Sequence, residues 1–201
     1  MEKPAETQYP IEEILRRRWS PRSFSERLVE PEKLQSLFEA ARWAASSFNE
    51  QPWNFIVATK QKPEEHTRLL SCLVEGNQRW ARAAPVLMVS VAKLNFGKTG
   101  KPNRHAFHDV GLAVQNMIVQ ATALGLFVHQ MAGFSPKKVS ETYGVPDGFE
   151  PVAAIATGYG PAKDELPEAF REFDLGARKR KPTGGFVFEG HWGETSRLVS
   201  E

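Results

Sequence analysis

The chain has 201 residues, of which 41% are hydrophobic and 25% charged, with a formal net charge of +2. That length fits one domain with a real core, and the composition is that of a globular protein rather than a disordered one. The small basic excess gives no warrant for a nucleic-acid surface.

Ile11 to Arg18 form a short helix pattern with Ile11, Ile14 and Leu15 on one side. Pro21 ends it, since proline removes a donor and clashes with the preceding turn, and Ser20 before it is pushed toward an extended conformation. Pro31 suits the first position of a second helix. Leu34, Leu37, Phe38, Ala41 and Ala45 recur at helical spacing, and the pattern stops near Ser46. Phe55 to Thr59 is a strand, and Gln61 to Glu64 a turn into another helix. Cys72 sits in an apolar-rich helical pattern and reads as packed rather than reactive. Pro85 to Ala92 is a near-continuous apolar run, the pattern of a central strand buried on both faces. Asn95 to Asn103 is a loop. The clearest helix spans about Ala106 to Leu124, with Phe107, Val110, Ala113, Val114, Met117, Ile118, Ala121 and Leu124 on one stripe and Gly125 as its cap. Leu126 to Gln130 is a short strand, Ser135 to Tyr143 a short helix, and Val152 to Thr157 a strand closed by Gly158-Tyr159-Gly160-Pro161.

From Pro161 onward the chain is rich in proline and charge, with too little apolar surface to fold alone. Phe186, Val187, Phe188 and Trp192 near its end are apolar enough to dock, on this subunit or on a second one. One cysteine excludes an intramolecular disulfide and fits a reducing compartment. The five histidines are too scattered for a metal site. The N-terminus lacks an apolar signal core, and no apolar run reaches spanning length. These features imply a soluble, cytoplasmic protein that binds neither metal nor membrane.

Four groups could carry chemistry. With Pro21 forcing an extended chain, Arg18, Ser20 and Arg22 share a face. Two guanidinium forks and a hydroxyl then match phosphate oxygens, although a solvated basic helix end fits the same residues. Arg178 and Arg180 also alternate, either as an anion site or as part of a solvated charge run. Ser46 to Trp53 is a loop of hydrogen-bonding groups between a buried helix and a strand. Such groups serve turns and caps, or are aimed at a ligand by the rigid elements on either side. Asn77, and Gly133 in Gln130-Met131-Ala132-Gly133-Phe134, are weaker candidates; Gly133 would permit close backbone approach. No GxGxxG or GxxxxGK loop is present, so any phosphate contact falls to arginines.

In order and spacing these segments resemble the FMN-dependent nitroreductase family. Arg18-Trp19-Ser20-Pro21-Arg22-Ser23-Phe24 matches its opening Arg-x-Ser-x-Arg-x-Phe pattern, and Ala45 to Trp53 its Pro-Ser-x-x-Asn-x-Gln-Pro-Trp segment, with Ala45 in place of proline. Asp109-Val110-Gly111 with Ala113, Gln115 and Asn116 is similar to its central dimer-forming helix. Gly158-Tyr159-Gly160, and Arg178 with Arg180, match its late strand end and basic pair. Trp80 stands where some relatives carry a basic residue, and the loop at 95–103 is short.

The resemblance implies an α+β fold, a mostly antiparallel central sheet flanked by helices. It implies one domain over residues 1–201, a homodimer with FMN at the interface, and a tail from about 161 that wraps the partner. Arg18, Ser20 and Arg22 would bind the phosphate and ribityl end of FMN, with Trp19 giving a backbone contact and Arg178 and Arg180 completing the phosphate site. Ser46, Ser47 and Asn49 would line the isoalloxazine ring across the interface. Asn77 would bond ring or ribityl oxygens. Gln130, Met131, Ala132 and Gly133 would lie along a ring face, with a backbone N–H near N5. The implied activity is FMN-dependent reduction of nitroaromatics, quinones or similar acceptors. NADPH or NADH delivers hydride through N5 in ping-pong order, and no side chain is assigned as catalytic. Other chemistries on the same scaffold are reductive dehalogenation and flavin fragmentation. A non-catalytic protein binding phosphates or nucleic acid would leave the Ser46 to Trp53 loop without a purpose.

Overall fold

β2 (Val86–Lys93) sets the architecture. Its apolar run is buried from end to end, and its side chains alternate between two cores. The computed structural model describes residues 3–160 and 167–199. The other strands are β1 (Trp53–Thr59), β3 (Phe127–Met131) and β4 (Phe149–Gly158). They form one sheet in the order β1-β2-β4-β3, with every neighbouring pair antiparallel. The α+β class expected from the sequence therefore holds. β1 and β4 are longer than their apolar stretches suggest, because ladder pairing carries Trp53 and Phe149 to the sheet's end opposite Ala92 and Lys93.

On one face Leu87, Val89 and Val91 pack with Leu69, Trp80, Val139 and Ala156. This core lies beneath α3 (Pro63–Leu70), α4 (Glu75–Ala81) and α6 (Pro136–Tyr143). On the other face Val86 and Met88 pack with Leu37, Val110, Val114, Met117 and Ile155. That core is closed by α2 (Pro31–Arg42) and α5 (Ala106–Ala123). Cys72 is buried in the first core, as its pattern implied.

Two helix boundaries and one stripe position differ from the sequence reading. α1 is only Glu13–Arg17, because Arg18 already has the extended dihedrals φ −59°, ψ 125°. The departure that Pro21 imposes on Ser20 thus begins two residues earlier. α2 ends at Arg42 rather than near Ser46, and Ala45 is exposed. Its last turn is tied by Glu39, which accepts from both Arg42 and Trp43. On α5 the stripe holds except at Phe107, which is 43% exposed.

The tail contains a helix that its charge concealed, α7 (Glu168–Leu175). It docks through half-buried Phe170 and fully buried Asp174. Phe186 and Trp192 do not dock on this chain: they are 59% and 92% exposed, and Trp192 meets Phe188 edge-on. Among the described residues no helix is long and apolar enough to cross a membrane.

Candidate cofactor site

The extended strip after α1 and the segment after α7 come together. A cavity of about 690 Å³ is lined by Arg18, Trp19, Ser20, Arg22, Arg178 and Arg180, together with Lys3, Phe173 and Glu172. All six residues expected to form the phosphate end of a site therefore share one wall. The N-terminal segment completes it: Arg178 donates to the carbonyls of Lys3 and Arg16, and Lys3 Nζ donates to the Asp174 carbonyl at 2.9 Å.

The electrostatics are those of an anion site. Burial, then the positive charges of Arg178 and Arg180, pull the Arg18 guanidinium below its ordinary pKa. Burial and Arg180 do the same to Arg178. Arg18 spends one N–H on Ser20 Oγ at 3.3 Å, and Arg180 donates only to the Lys179 carbonyl. Neither forms an ion pair with a carboxylate among the described residues. Like charges held together without a direct ion pair among the described residues favour an incoming anion, to which arginine forks can donate in pairs.

Asp174 organises this wall. Its Oδ1 accepts the Arg22 backbone N–H at 2.9 Å, and the Arg22 guanidinium lies 3.9 Å over the Phe173 ring. Arg22 Nε, Trp19 Nε1 and Asp174 Oδ2 are buried without a partner among the described residues, a state costly enough to call for a ligand or water. Lys3, Phe173 and Asp174 were not picked out from the sequence. The Phe170–Phe173 spacing on a charged helix was the available signal.

The second group lies beside the first. His129 on β3 bonds the Pro21 carbonyl at 2.7 Å through Nδ1, linking the arginine strip to the strand that runs into Gln130–Gly133. Burial keeps the His129 pKa below its usual value, so neutral Nδ1–H is the donor. At the strand's end Asn77 Nδ2 donates to the Gly133 carbonyl at 2.9 Å, and Trp80 Nε1 donates to Asn77 Oδ1. The Asn77 amide is thus largely committed to shaping this corner. Trp80 is buried against Phe24 and His129 rather than facing a ligand. The Met131 side chain is also in the core, so only its main chain can face a cofactor. Gly133 has no room for a side chain, since a Cβ there would fall 2.5 Å from Asn77 Nδ2. The Ala132 and Gly133 N–H groups make no hydrogen bond to another described residue, which leaves two donors free at the strand end.

The third group stands apart. No residue of the 46–53 loop lines the arginine cavity. Ser47 N–H donates to buried Asp109 Oδ2 at 2.9 Å, near the N-terminal end of α5. The arginine strip abuts the other end of that helix, where Arg17, Arg18 and Trp19 share a cavity of about 240 Å³ with Thr122 and Gly125. Asp109 and Thr122 are about 20 Å apart along α5 at the helical rise per residue. One chain therefore carries the expected contacts in two places.

Comparison with known proteins identifies the family. A solved structure described as an oxidoreductase containing FMN superposes with a TM-score of 0.87 at 33% identity, covering 93% of this chain and 95% of that one. An uncharacterized 15.4 kDa protein of Mycolicibacterium smegmatis is 34% identical over 130 residues, which is 65% of this chain and 86% of that protein. A protein of Stenotrophomonas maltophilia with the provisional name NADH dehydrogenase/NAD(P)H nitroreductase is 26% identical over 187 residues, covering 84% of this chain and 94% of its own length. The profile of the Nitroreductase family matches residues 15–159, from within α1 to just past the end of β4. The chain belongs to the nitroreductase family.

Proposed function

We propose that the protein is an NAD(P)H-dependent FMN oxidoreductase that works as a homodimer. The observation that carries this reading is the cluster of guanidinium groups around Arg18, of which Arg18 and Arg180 form no ion pair among the described residues, set beside a strand end with two free N–H donors. Similarity to an FMN-containing oxidoreductase and to an NAD(P)H nitroreductase supports it.

The residues fit FMN. Arg18, Ser20, Arg22 and Arg180 would take the phosphate, with Arg178 and Lys3 fixing the wall behind it. The Ala132 and Gly133 N–H groups would meet the polar edge of the ring system. Ser46, Ser47 and Asn49 would supply the opposite side from the second subunit. Two copies packed antiparallel along α5 would bring the Asp109 end of one helix to the Thr122 end of the other, joining the two half-sites. The tail at 183–199, with its exposed Phe186, Trp192 and Leu198, would then lie on the partner. Residues 161–166 fall outside the described part of that tail.

When bound, FMN would supply two-electron hydride chemistry between a nicotinamide and a nitroaromatic, quinone or similar acceptor. The protein binds, orients and shields it. No side chain is assigned a proton-transfer role, since solvent can supply protons. The test is the visible spectrum of the purified protein, with or without added FMN, followed by anaerobic titration with NADPH and NADH. Flavin bands that bleach with either nucleotide are expected. A protein that takes up no FMN overturns the reading.

A further inference from the structure

The 46–51 loop is held in an unfavourable shape. Phe48, Asn49 and Gln51 have φ of 53°, 56° and 52°, a left-handed region that disfavours any residue with a Cβ and a bulky one most. Two carboxylates clamp it. Asp109, 2% exposed, accepts the Ser47 N–H. Glu50 Oε1 accepts from Lys93 Nζ at 2.9 Å and from Gly97 N–H at 2.7 Å. Ser46 Oγ accepts the Gln51 N–H across the turn.

What these clamps hold out is an aromatic ring. Phe48 is 92% exposed, and its ring meets Phe96 edge-on, centroid to centroid 5.8 Å at 83°. A large apolar ring kept in water forgoes the gain of burial, and a strained backbone adds to that cost. Strain of this kind persists where the surroundings over-determine it, and it marks sites of contact. Here the flanking residues Ser47 and Asn49 are the ones expected to face the flavin, so the ring stands at the rim of that site.

We propose that Phe48 is the specificity-determining residue for the oxidised substrate: a planar aromatic or quinoid acceptor stacks on its ring, with Phe96 edge-on behind it. The proposal rests on the flavin reading above. Aromatic pairs favour offset-stacked and edge-to-face contacts, both of which an exposed ring backed by a second ring can offer. A compact, non-planar oxidant gains nothing from this surface. Asp109 and Glu50 act as positioning residues, through the loop.

The test compares 1,4-naphthoquinone with ferricyanide as acceptors for the full-length, flavin-loaded protein and its Phe48→Ala and Phe48→Tyr variants. In Phe48→Ala the ratio of the two kcat/KM values should fall about tenfold against naphthoquinone, through KM. Phe48→Tyr should keep the wild-type ratio, and flavin absorbance should persist in both. An unchanged ratio in flavin-loaded Phe48→Ala overturns this assignment alone. So does a variant whose sedimentation shows subunits coming apart while the ratio holds, since the ring would then be an interface contact. A wild-type protein that takes up no flavin overturns the underlying reading, and this one with it.

Discussion

Two arginines that look interchangeable in the sequence have different duties. Arg18 has no carboxylate partner among the described residues, and burial, then the neighbouring cations Arg178 and Arg180, depress its pKa. It gains most from an anion and loses least from the fold when removed. Arg178 instead ties the Lys3 and Arg16 carbonyls, so it closes the N-terminal segment over the wall. Arg18→Ala should weaken FMN binding by about 1.5–3 kcal/mol, the usual worth of a hydrogen bond to a charged group. Binding of riboflavin, which lacks the phosphate, should stay unchanged. Arg178→Ala should weaken FMN binding and also lower the melting temperature of the flavin-free protein. Fluorescence titration with the two flavins, beside thermal melts, separates the roles. Equal losses for FMN and riboflavin in Arg18→Ala would remove the phosphate assignment.

Elements differ in how openly the sequence declares them. β2 and α5 are legible because their apolar pattern is their burial pattern, and one period identifies each. α6 is legible at both ends. Ser135 Oγ accepts the Lys138 N–H at 3.1 Å, and Gly144 closes the helix in the left-handed region at φ 63°. Ser135→Ala should therefore cost about 1 kcal/mol of stability, the typical worth of an N-cap, measurable by urea denaturation with the midpoint lowered and the slope unchanged. α7 was not legible, since its docking depends on Asp174 meeting the Arg22 N–H from far along the chain. No local pattern encodes such a contact. The same holds for the site. Arg18, Ser20, Arg22, Arg178 and Arg180 could be picked out from residue chemistry and order. The Asp109 and Glu50 clamps could not, because their partners, the backbone N–H groups of Ser47 and Gly97 and the Lys93 ammonium, lie in other segments.

At the scale of the molecule two histidines, buried His66 and half-buried His129, tie stability to pH. His66 bonds the Ala84 carbonyl and His129 the Pro21 carbonyl. Burial holds both below their usual 6.5. In the unfolded chain each would take up a proton near that value, while in the fold each resists, so the unfolded state binds more protons as pH falls. Stability is therefore full above about pH 6.5 and declines below it, toward the lower pKa of the folded form. Melting temperature should fall steadily from pH 7 to pH 5. His66→Gln keeps a donor for Ala84 without the titration and should flatten that slope. The arrangement of half-sites calls for a different experiment. If each flavin spans two subunits, an Arg18→Ala/Arg22→Ala chain lacks the phosphate end, and a chain altered at Ser47 and Asn49 lacks the ring end. Neither homodimer then holds a complete site. In a mixed dimer the second chain's arginines meet the first chain's loop, so one complete site reappears. Random exchange makes half of the dimers mixed, each with one good site of two, and restores about a quarter of wild-type flavin sites under two-fold symmetry. A site built within one chain would gain nothing from mixing, because no chain in the mixture carries both halves. Flavin uptake measured after co-refolding the two variants decides between these geometries without any knowledge of the natural substrate.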